Sequence, residues 1–274
     1  MGVQTGRPGF HVEIIPPKQD SLKLEEDLAL FASKFGRVME SGFTASLTDN
    51  AMGLLAFQGH ECIEELGLKA GKGQVLIHLN TFHTKKNLVE ILESCRRLGI
   101  LSLLVVSGDG SVRLPKLRPE DVEAEGVSSV TSVELIRYIR KYYPEFTIGA
   151  AFNPYEPREH EQAKLERKLE AGAEFLITQP VTDRNEEVDL VLSRYPGVPL
   201  IVEAWMSKKL YLLSDVVGYP IPEDTQFDPV GTLVRLREAY PQCGFYLSLL
   251  GFKTQYPVIE EMAGVRRPGE EGTP

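Results

Sequence analysis

Residues 74–110 read QVLIHLNTFHTKKNLVEILESCRRLGILSLLVVSGDG, and this stretch holds one complete repeat of the fold. Gln74 to Leu79 is a short run of β-branched and apolar residues, as expected of a buried strand. Thr84 is placed to cap a helix running to Leu98, and Gly99 stands where that helix must end in a left-handed turn. Ile100 to Val106 is a second apolar run, so the stretch is strand, helix, strand, the unit of a parallel sheet.

The same alternation extends in both directions. Strands are predicted at Phe10 to Ile15, Phe43 to Thr48, Gln74 to Leu79, Ile100 to Val106, Thr147 to Phe152, Glu174 to Thr178, Pro199 to Glu203 and Gly244 to Leu249. Helical periodicity follows each: Ser21 to Phe35, Ala51 to Leu66, Thr84 to Leu98, Ser132 to Tyr143, Glu159 to Ala171, Arg184 to Tyr195, Lys208 to Val216 and Pro229 to Ala239. Asp20 or Ser21 suits the cap of the first helix and Asp183 that of the sixth, while Gly172 ends the fifth. Such units close into a single (β/α)8 TIM barrel over residues 1–263, with residues 264–274, rich in Gly, Pro and charge, expected as a disordered tail. An open doubly wound sheet would carry a glycine-rich turn after its first strand, where this chain has Pro16-Pro17. The connection from Gly108 to Val130 is long and polar, which marks it as a candidate lid.

A formal charge of −9 argues against a nucleic-acid surface and for a small-molecule partner. Cys62, Cys95 and Cys243 have neither metal-ligand spacing nor a disulfide pattern and read as core residues, with no metal expected. Neither a signal-peptide core nor a membrane-spanning run is present, so a cytoplasmic location without membrane contact is expected.

In a barrel of this type the active site lies at the carboxyl ends of the strands. Glu13, Thr48, Asp49, Asn50, His78, Asn80, Ser107, Asp109, Asn153, Gln179, Glu203 and Ser248 fall there, whereas Gly36, Gly71 and Gly99 read as turn and cap residues of the opposite rim. Glu13 interrupts an apolar run just before a rigid Pro-Pro step. Partial desolvation should raise its pKa, which suits a general acid. Asp109 lies between glycines, where the backbone of Gly108 and Gly110 can turn sharply and the carboxylate can accept from a guanidine-like edge; a plain turn aspartate is the alternative. Gln179 can both donate to and accept from a heterocycle. His78 suits either a cofactor ring or a hydrogen bond across the barrel, His83 reads as a solvated loop residue, and Arg167 and Lys168 read as helix-surface charges.

Residues 12–18, Val-Glu-Ile-Ile-Pro-Pro-Lys, resemble the Phe-Glu-Phe-Phe-Pro-Pro opening of the methylenetetrahydrofolate reductase family. Thr48-Asp49-Asn50, Ile77-His78-Leu79, Ser107-Gly108-Asp109, residues 149–154 and residues 168–180 are similar, in order, to that family's later strand ends. The resemblance implies an oxidoreductase that passes hydride from reduced FAD to 5,10-methylenetetrahydrofolate, giving 5-methyltetrahydrofolate, with NADH or NADPH as electron donor. By position it implies Glu13 as general acid, Asp109 as the carboxylate beside the cation formed, Asp109 and Gln179 as pterin-binding groups, and Thr48, His78, Gly108, Phe152 and Lys168 as flavin contacts, Lys168 at its phosphates. The departures are Ser107 where many relatives carry Arg, Phe152-Asn153-Pro154 where an aromatic residue usually precedes Pro directly, and Leu249-Leu250-Gly251 in place of a late Asn-Arg. A flavin-independent folate enzyme, a homo-oligomer or subunit fed by an electron-donating partner protein, and a non-catalytic barrel subunit are the alternatives left open.

Overall fold

The computed structural model describes residues 9–265 except 112 and 223. Its strands are β1 (Phe10–Ile14), β2 (Thr44–Leu47), β3 (Val75–Leu79), β4 (Ser102–Val105), β5 (Thr147–Phe152), β6 (Phe175–Thr178), β7 (Leu200–Trp205) and β8 (Gly244–Ser248). Every neighbouring pair is parallel and β8 returns to β1, so the sheet is a closed barrel in sequence order. The helices around it are α1 (Leu24–Glu40), α2 (Gly59–Glu65), α3 (Lys85–Arg97), α4 (Ser132–Tyr142), α5 (Arg158–Ala171), α6 (Glu186–Arg194), α7 (Leu210–Val217), α8 (Pro229–Ala239) and α9 (Tyr256–Ala263).

Successive strand residues face opposite sides, and the two faces build two cores. Val12, Ala45, Val75, Leu103, Ile148, Leu176, Val202 and Phe245 belong to the large core shared with the helices. Leu76, Leu104, Phe175, Ile177, Ile201 and Tyr246 form a smaller cluster inside the barrel. Gly149 is needed there, since a Cβ on it would lie 2.2 Å from the Phe175 ring, which fills the lumen over β5. The three cysteines are free and buried, as read from the sequence.

Several boundaries differ from expectation. Gly36 is no rim turn: it lies inside α1, because the buried stripe of Phe31, Phe35 and Val38 carries the helix past it. Neither Asp20 nor Ser21 caps that helix. Lys23 occupies the cap position, and the Ser21 hydroxyl bonds the Asp27 carboxylate at 2.6 Å. The expected second helix is broken into a 3-10 turn, Ala51–Gly53, and α2, because Asn50 and Met52 adopt left-handed backbone at φ 45° and 59°. Asn185, not Asp183, caps α6, accepting from the Glu187 and Val188 amides. Thr84 does cap α3, and Gly99 and Gly172 are left-handed, as expected.

The 108–130 connection is anchored over its second half: Leu117, Val122 and Val130 are buried, and the Leu117 amide bonds the Thr81 carbonyl at 2.9 Å. A lid made of the whole segment does not match that packing; Gly108 to Gly110 and residues 125–129 are its longest exposed runs. Helix α9 had no counterpart in the sequence reading, and Gly264 closes it in left-handed backbone, with Val265 against the core. The expected disordered tail otherwise falls on residues 266–274, outside the described residues. Among the described residues no helix is long and apolar enough to cross a membrane.

Candidate active site at the carboxyl ends of the strands

Alternation along β1 puts His11 and Glu13 on the lumen side, opposite Val12. One Glu13 oxygen accepts from the Tyr246 hydroxyl at 3.1 Å and the other from the Leu249 amide at 2.8 Å. Leu249 reaches it through a left-handed turn at φ 53°, uncommon for a non-glycine residue, so the chain just past β8 is bent onto this carboxylate. Burial raises the Glu13 pKa, and the two donors only partly offset it. No cation faces it in an ion pair among the described residues. The expectation of a proton-holding acid at this position therefore rests on a desolvated carboxyl with neutral donors.

Glu203 on β7 is a second acid in the same lumen. Its pKa is pushed well up by burial and then by the neighbouring Glu13 charge. Tyr246 stands opposite Glu203 in the β7–β8 register, and its own pKa is raised by burial and by both acids. Across the barrel the His78 ring lies 5.8 Å from the Tyr246 ring, centroid to centroid.

The lumen is polar yet incompletely bonded. His11 Nδ1, Ser46 Oγ, Thr48 Oγ1, His78 Nε2 and Trp205 Nε1 are buried without a hydrogen-bond partner in the structure. Buried polar groups of native proteins are normally paired, so five orphans in one lumen mark a place where a ligand or ordered water is accommodated. Desolvation lowers the pKa of both His11 and His78 to about 4. Unfolded, each would take a proton near its ordinary value of about 6.5. The unfolded chain therefore binds more protons between those values, and stability is lost as pH falls from about 6.5 to about 4, on the order of 1–2 kcal/mol per ring after discounting for partial exposure. His78→Gln should lose less stability than the parent between about pH 7 and pH 4.5 in urea denaturation, and equal losses would refute this assignment.

Asp49, at the end of β2, organises the neighbouring loops. Its Oδ2 accepts from the Asn80 amide at 2.8 Å and meets His83 Nε2 at 2.7 Å; its Oδ1 accepts from Asn50 and Gln58 side chains at 2.9 and 3.0 Å. His83 is thus a buried structural partner, correcting its reading as a solvated loop residue. Asp109 is exposed, with its Oδ2 accepting from the Met52 amide at 3.0 Å, which ties the β4 and β2 loops together. Gly108 has φ +82°, and a Cβ there would come 2.6 Å from Asn80 Cβ, so the close approach it permits is to Asn80. Gln179 follows β6, half-buried; its backbone amide bonds the Phe152 carbonyl at 2.7 Å, and its side-chain amide makes no hydrogen bond among the described residues.

Two expected flavin contacts, Phe152 and Lys168, are engaged in packing and hydrogen bonds of their own. Phe152 is 1% exposed and belongs to the outer core, because alternation along β5 turns it with Ile148 and Ala150 toward the helices. Lys168 is no surface charge: it is buried, donates to the Ala151 carbonyl at 2.6 Å and lies 4.0 Å from Glu161. Around it Lys164 pairs with both Glu156 and Glu161 at 2.8 Å, so this corner already balances two lysines against two glutamates. A groove of about 470 Å³ beside α1, lined by Ile15, Pro17, Lys18, Asp27, Phe31 and Lys34, does not include Glu13. The residues that the sequence reading left out of the site are His11, Tyr246 and Trp205. Their signal was the period-two alternation that sets His11 with Glu13, Trp205 with Glu203 and Tyr246 with Ser248.

A closed parallel barrel with a desolvated acid toward the carboxyl end of its first strand defines a (β/α)8 protein with a candidate site at that mouth. A model of the methylenetetrahydrofolate reductase family matches residues 2–192. The chain belongs to the methylenetetrahydrofolate reductase family. It is 30% identical over 116 residues to methylenetetrahydrofolate reductase 2 of Schizosaccharomyces pombe, a match covering 38% of this chain and 17% of that protein. Among solved structures, a Clostridium thermocellum protein that binds two copies of 5-methyl-5,6,7,8-tetrahydrofolic acid is similar with a TM-score of 0.62 at 16% identity, over 94% of this chain and 93% of that one. The aldolase QR15 is similar with a TM-score of 0.55 at 14% identity, over 93% and 96% of the two chains.

Proposed function

We propose that the protein reduces 5,10-methylenetetrahydrofolate to 5-methyltetrahydrofolate, with Glu13 as the acid. The observation that carries this reading is the desolvated Glu13 carboxyl, held between the Tyr246 hydroxyl and the Leu249 amide with no cation paired to it among the described residues. Opening the five-membered ring of the substrate requires a proton on the departing nitrogen and leaves an iminium cation on the methylene carbon. A carboxyl with a raised pKa can give that proton near neutral pH. Once ionised, it is stabilised by the two donors already in place and by the cation it has helped to form. Family membership and the folate bound by the clostridial protein support the substrate class. The free side-chain amide of Gln179 and the exposed carboxylate of Asp109 are the groups proposed to hold the pterin.

FAD is the proposed hydride carrier. Thr48 Oγ1 and His78 Nε2 are buried polar atoms without partners, and a flavin ring edge offers acceptors and donors to both. Bound FAD would supply the hydride, drawn from NADH or NADPH. Lys168 would take a flavin phosphate only by exchanging the Ala151 carbonyl for it. That charge-balanced corner favours a second reading, a flavin-independent reductase taking hydride from the nicotinamide itself. One experiment separates the two. Purified protein is titrated with FAD by absorbance, and 5-methyltetrahydrofolate formation is assayed with NADH or NADPH, with and without FAD. Product that requires a bound flavin supports the first reading and product without flavin the second; no product under either condition sinks both.

A further inference from the structure

Glu203 is a buried acid that this chemistry leaves without a task. It stands opposite Tyr246 in the β7–β8 register, and the Tyr246 hydroxyl donates to Glu13 at 3.1 Å. Glu203 therefore neighbours Tyr246 on the adjacent strand, while the Tyr246 hydroxyl itself bonds Glu13. The other titratable or polar side chains around the acids are His11 on β1, Ser46 and Thr48 at β2, His78 on β3, Tyr155 after β5, whose pKa is raised by burial and in lesser part by the Glu203 charge, Gln179 after β6, and Trp205 and Ser248 at the ends of β7 and β8. Both imidazoles are neutral above about pH 4. The lumen around the acids thus offers hydroxyls, rings and amides, but no positive charge among the described residues. Two carboxylates so placed cannot both ionise without a compensating charge, so one of them keeps a proton.

The hydrogen bonds indicate which one. Glu13 receives the Tyr246 hydroxyl and the Leu249 amide, which favour its ionised form, whereas Glu203 has only the Ser248 hydroxyl to favour ionisation. We propose that Glu13 and Glu203 hold a single proton between them at neutral pH, stored on Glu203 in the resting protein and relayed to Glu13 through Tyr246 for delivery to the substrate. The proposal rests on Glu13 being the acid of the reaction. In the relay the Tyr246 hydroxyl, which among the described residues bonds Glu13 alone, turns to take the proton as the Glu203 O–H bond breaks and gives its own proton to Glu13. Glu13 then passes a proton to the departing substrate nitrogen. No electrons move in these steps. Both carboxylates end ionised, a state tolerated because the iminium cation is then beside them, and a proton from solvent resets the pair after the cation has been reduced. Glu203 is on this account a positioning residue, acting through Glu13.

The test has one readout on the protein alone and one on turnover. Infrared spectra near pH 7 should show a protonated-carboxyl band that Glu203→Gln removes, because Glu13, whose oxygens accept from two donors, is the member of the pair that ionises. Glutamate carboxyl ¹³C titration of the parent protein should show a coupled pair with one step above neutrality; this measurement needs no variant to fold. A parent protein with no such band or split titration, or a band that persists in Glu203→Gln, overturns the proposal. In turnover, Glu203→Gln should lower kcat near neutral pH on the order of tenfold to a hundredfold. Its activity should also fail at lower pH on the alkaline side, with KM for the folate little changed. If the parent turns over and Glu203→Gln reproduces its pH profile, the proton store is refuted while the reductase reading stands. If the pair titrates as described but no folate is reduced, the reductase reading fails and the shared proton remains.

Discussion

Glu13→Gln should lower turnover by about a hundredfold to ten-thousandfold while leaving folate binding close to that of the parent protein. The substitution keeps the side chain's size and one acceptor oxygen, so either the Tyr246 hydroxyl or the Leu249 amide retains its partner. What is lost is the transferable proton, and with it the carboxylate that would face the developing cation. An interaction needed only as the ring opens reduces kcat rather than binding. Trp205, the sole tryptophan of the chain, ends β7 two residues past Glu203 and packs against Leu210, Leu213 and Val217 of α7, so its fluorescence reports changes at this end of the barrel when folate binds. Steady-state kinetics give kcat, and the fluorescence titration gives affinity. Turnover within about threefold of the parent would remove Glu13 from the chemistry. A joint loss of binding and turnover would assign it a role in positioning the substrate instead.

The barrel was legible because its information is local. Each strand announces itself as a short apolar run and each helix as a periodic segment, and α8 lies on the residues read for it, Pro229 to Ala239. Legibility failed where a single backbone conformation decides the outcome. Asn50 and Gly53 are turn-forming residues, but nothing in the composition of residues 50–53 signals that Met52 also turns left-handed and splits the second helix. It failed again where a contact exists only because the sheet closes. Glu13 and Tyr246 are 233 residues apart and meet because β8 pairs with β1. Alternation along β8 could set Tyr246 beside Ser248, but its bond to the acid on β1 could not be read before the sheet was closed. Phe152 is a different case: the alternation of β5 was visible, and following it would have turned that ring toward the helices rather than the mouth. Likewise the charge of Lys168 was plain, whereas its burial against the Ala151 carbonyl depends on how α5 lies on β5.

The largest loss of stability is expected from Asp49→Ala, about 3–5 kcal/mol. Each Asp49 oxygen serves two partners: the Asn50 and Gln58 side chains on one, the Asn80 amide and the His83 ring on the other. Truncation leaves these groups facing an empty space in a region where Asp49, Asn50, Asn80 and His83 are all at most 7% exposed, and each orphaned buried group costs about 1–3 kcal/mol unless water reaches it. Asp49→Asn separates charge from shape. It is nearly isosteric, but one oxygen becomes an amide donor, so either the Asn50 and Gln58 pair or the Asn80 and His83 pair meets a donor where it had an acceptor. If satisfied acceptors are what matter, Asn should cost nearly as much as Ala. If packing matters, Asn should be close to the parent. Urea denaturation of the three proteins near pH 7 decides it, and a cost below about 1 kcal/mol for Asp49→Ala would show that the loops do not depend on this carboxylate. The same substitution should weaken ligand binding at the mouth. Asp49 directly follows Thr48, and the Asn80 side chain that bonds its carbonyl is also the surface on which Gly108 packs, so releasing one carboxylate loosens the ends of β2, β3 and β4 together.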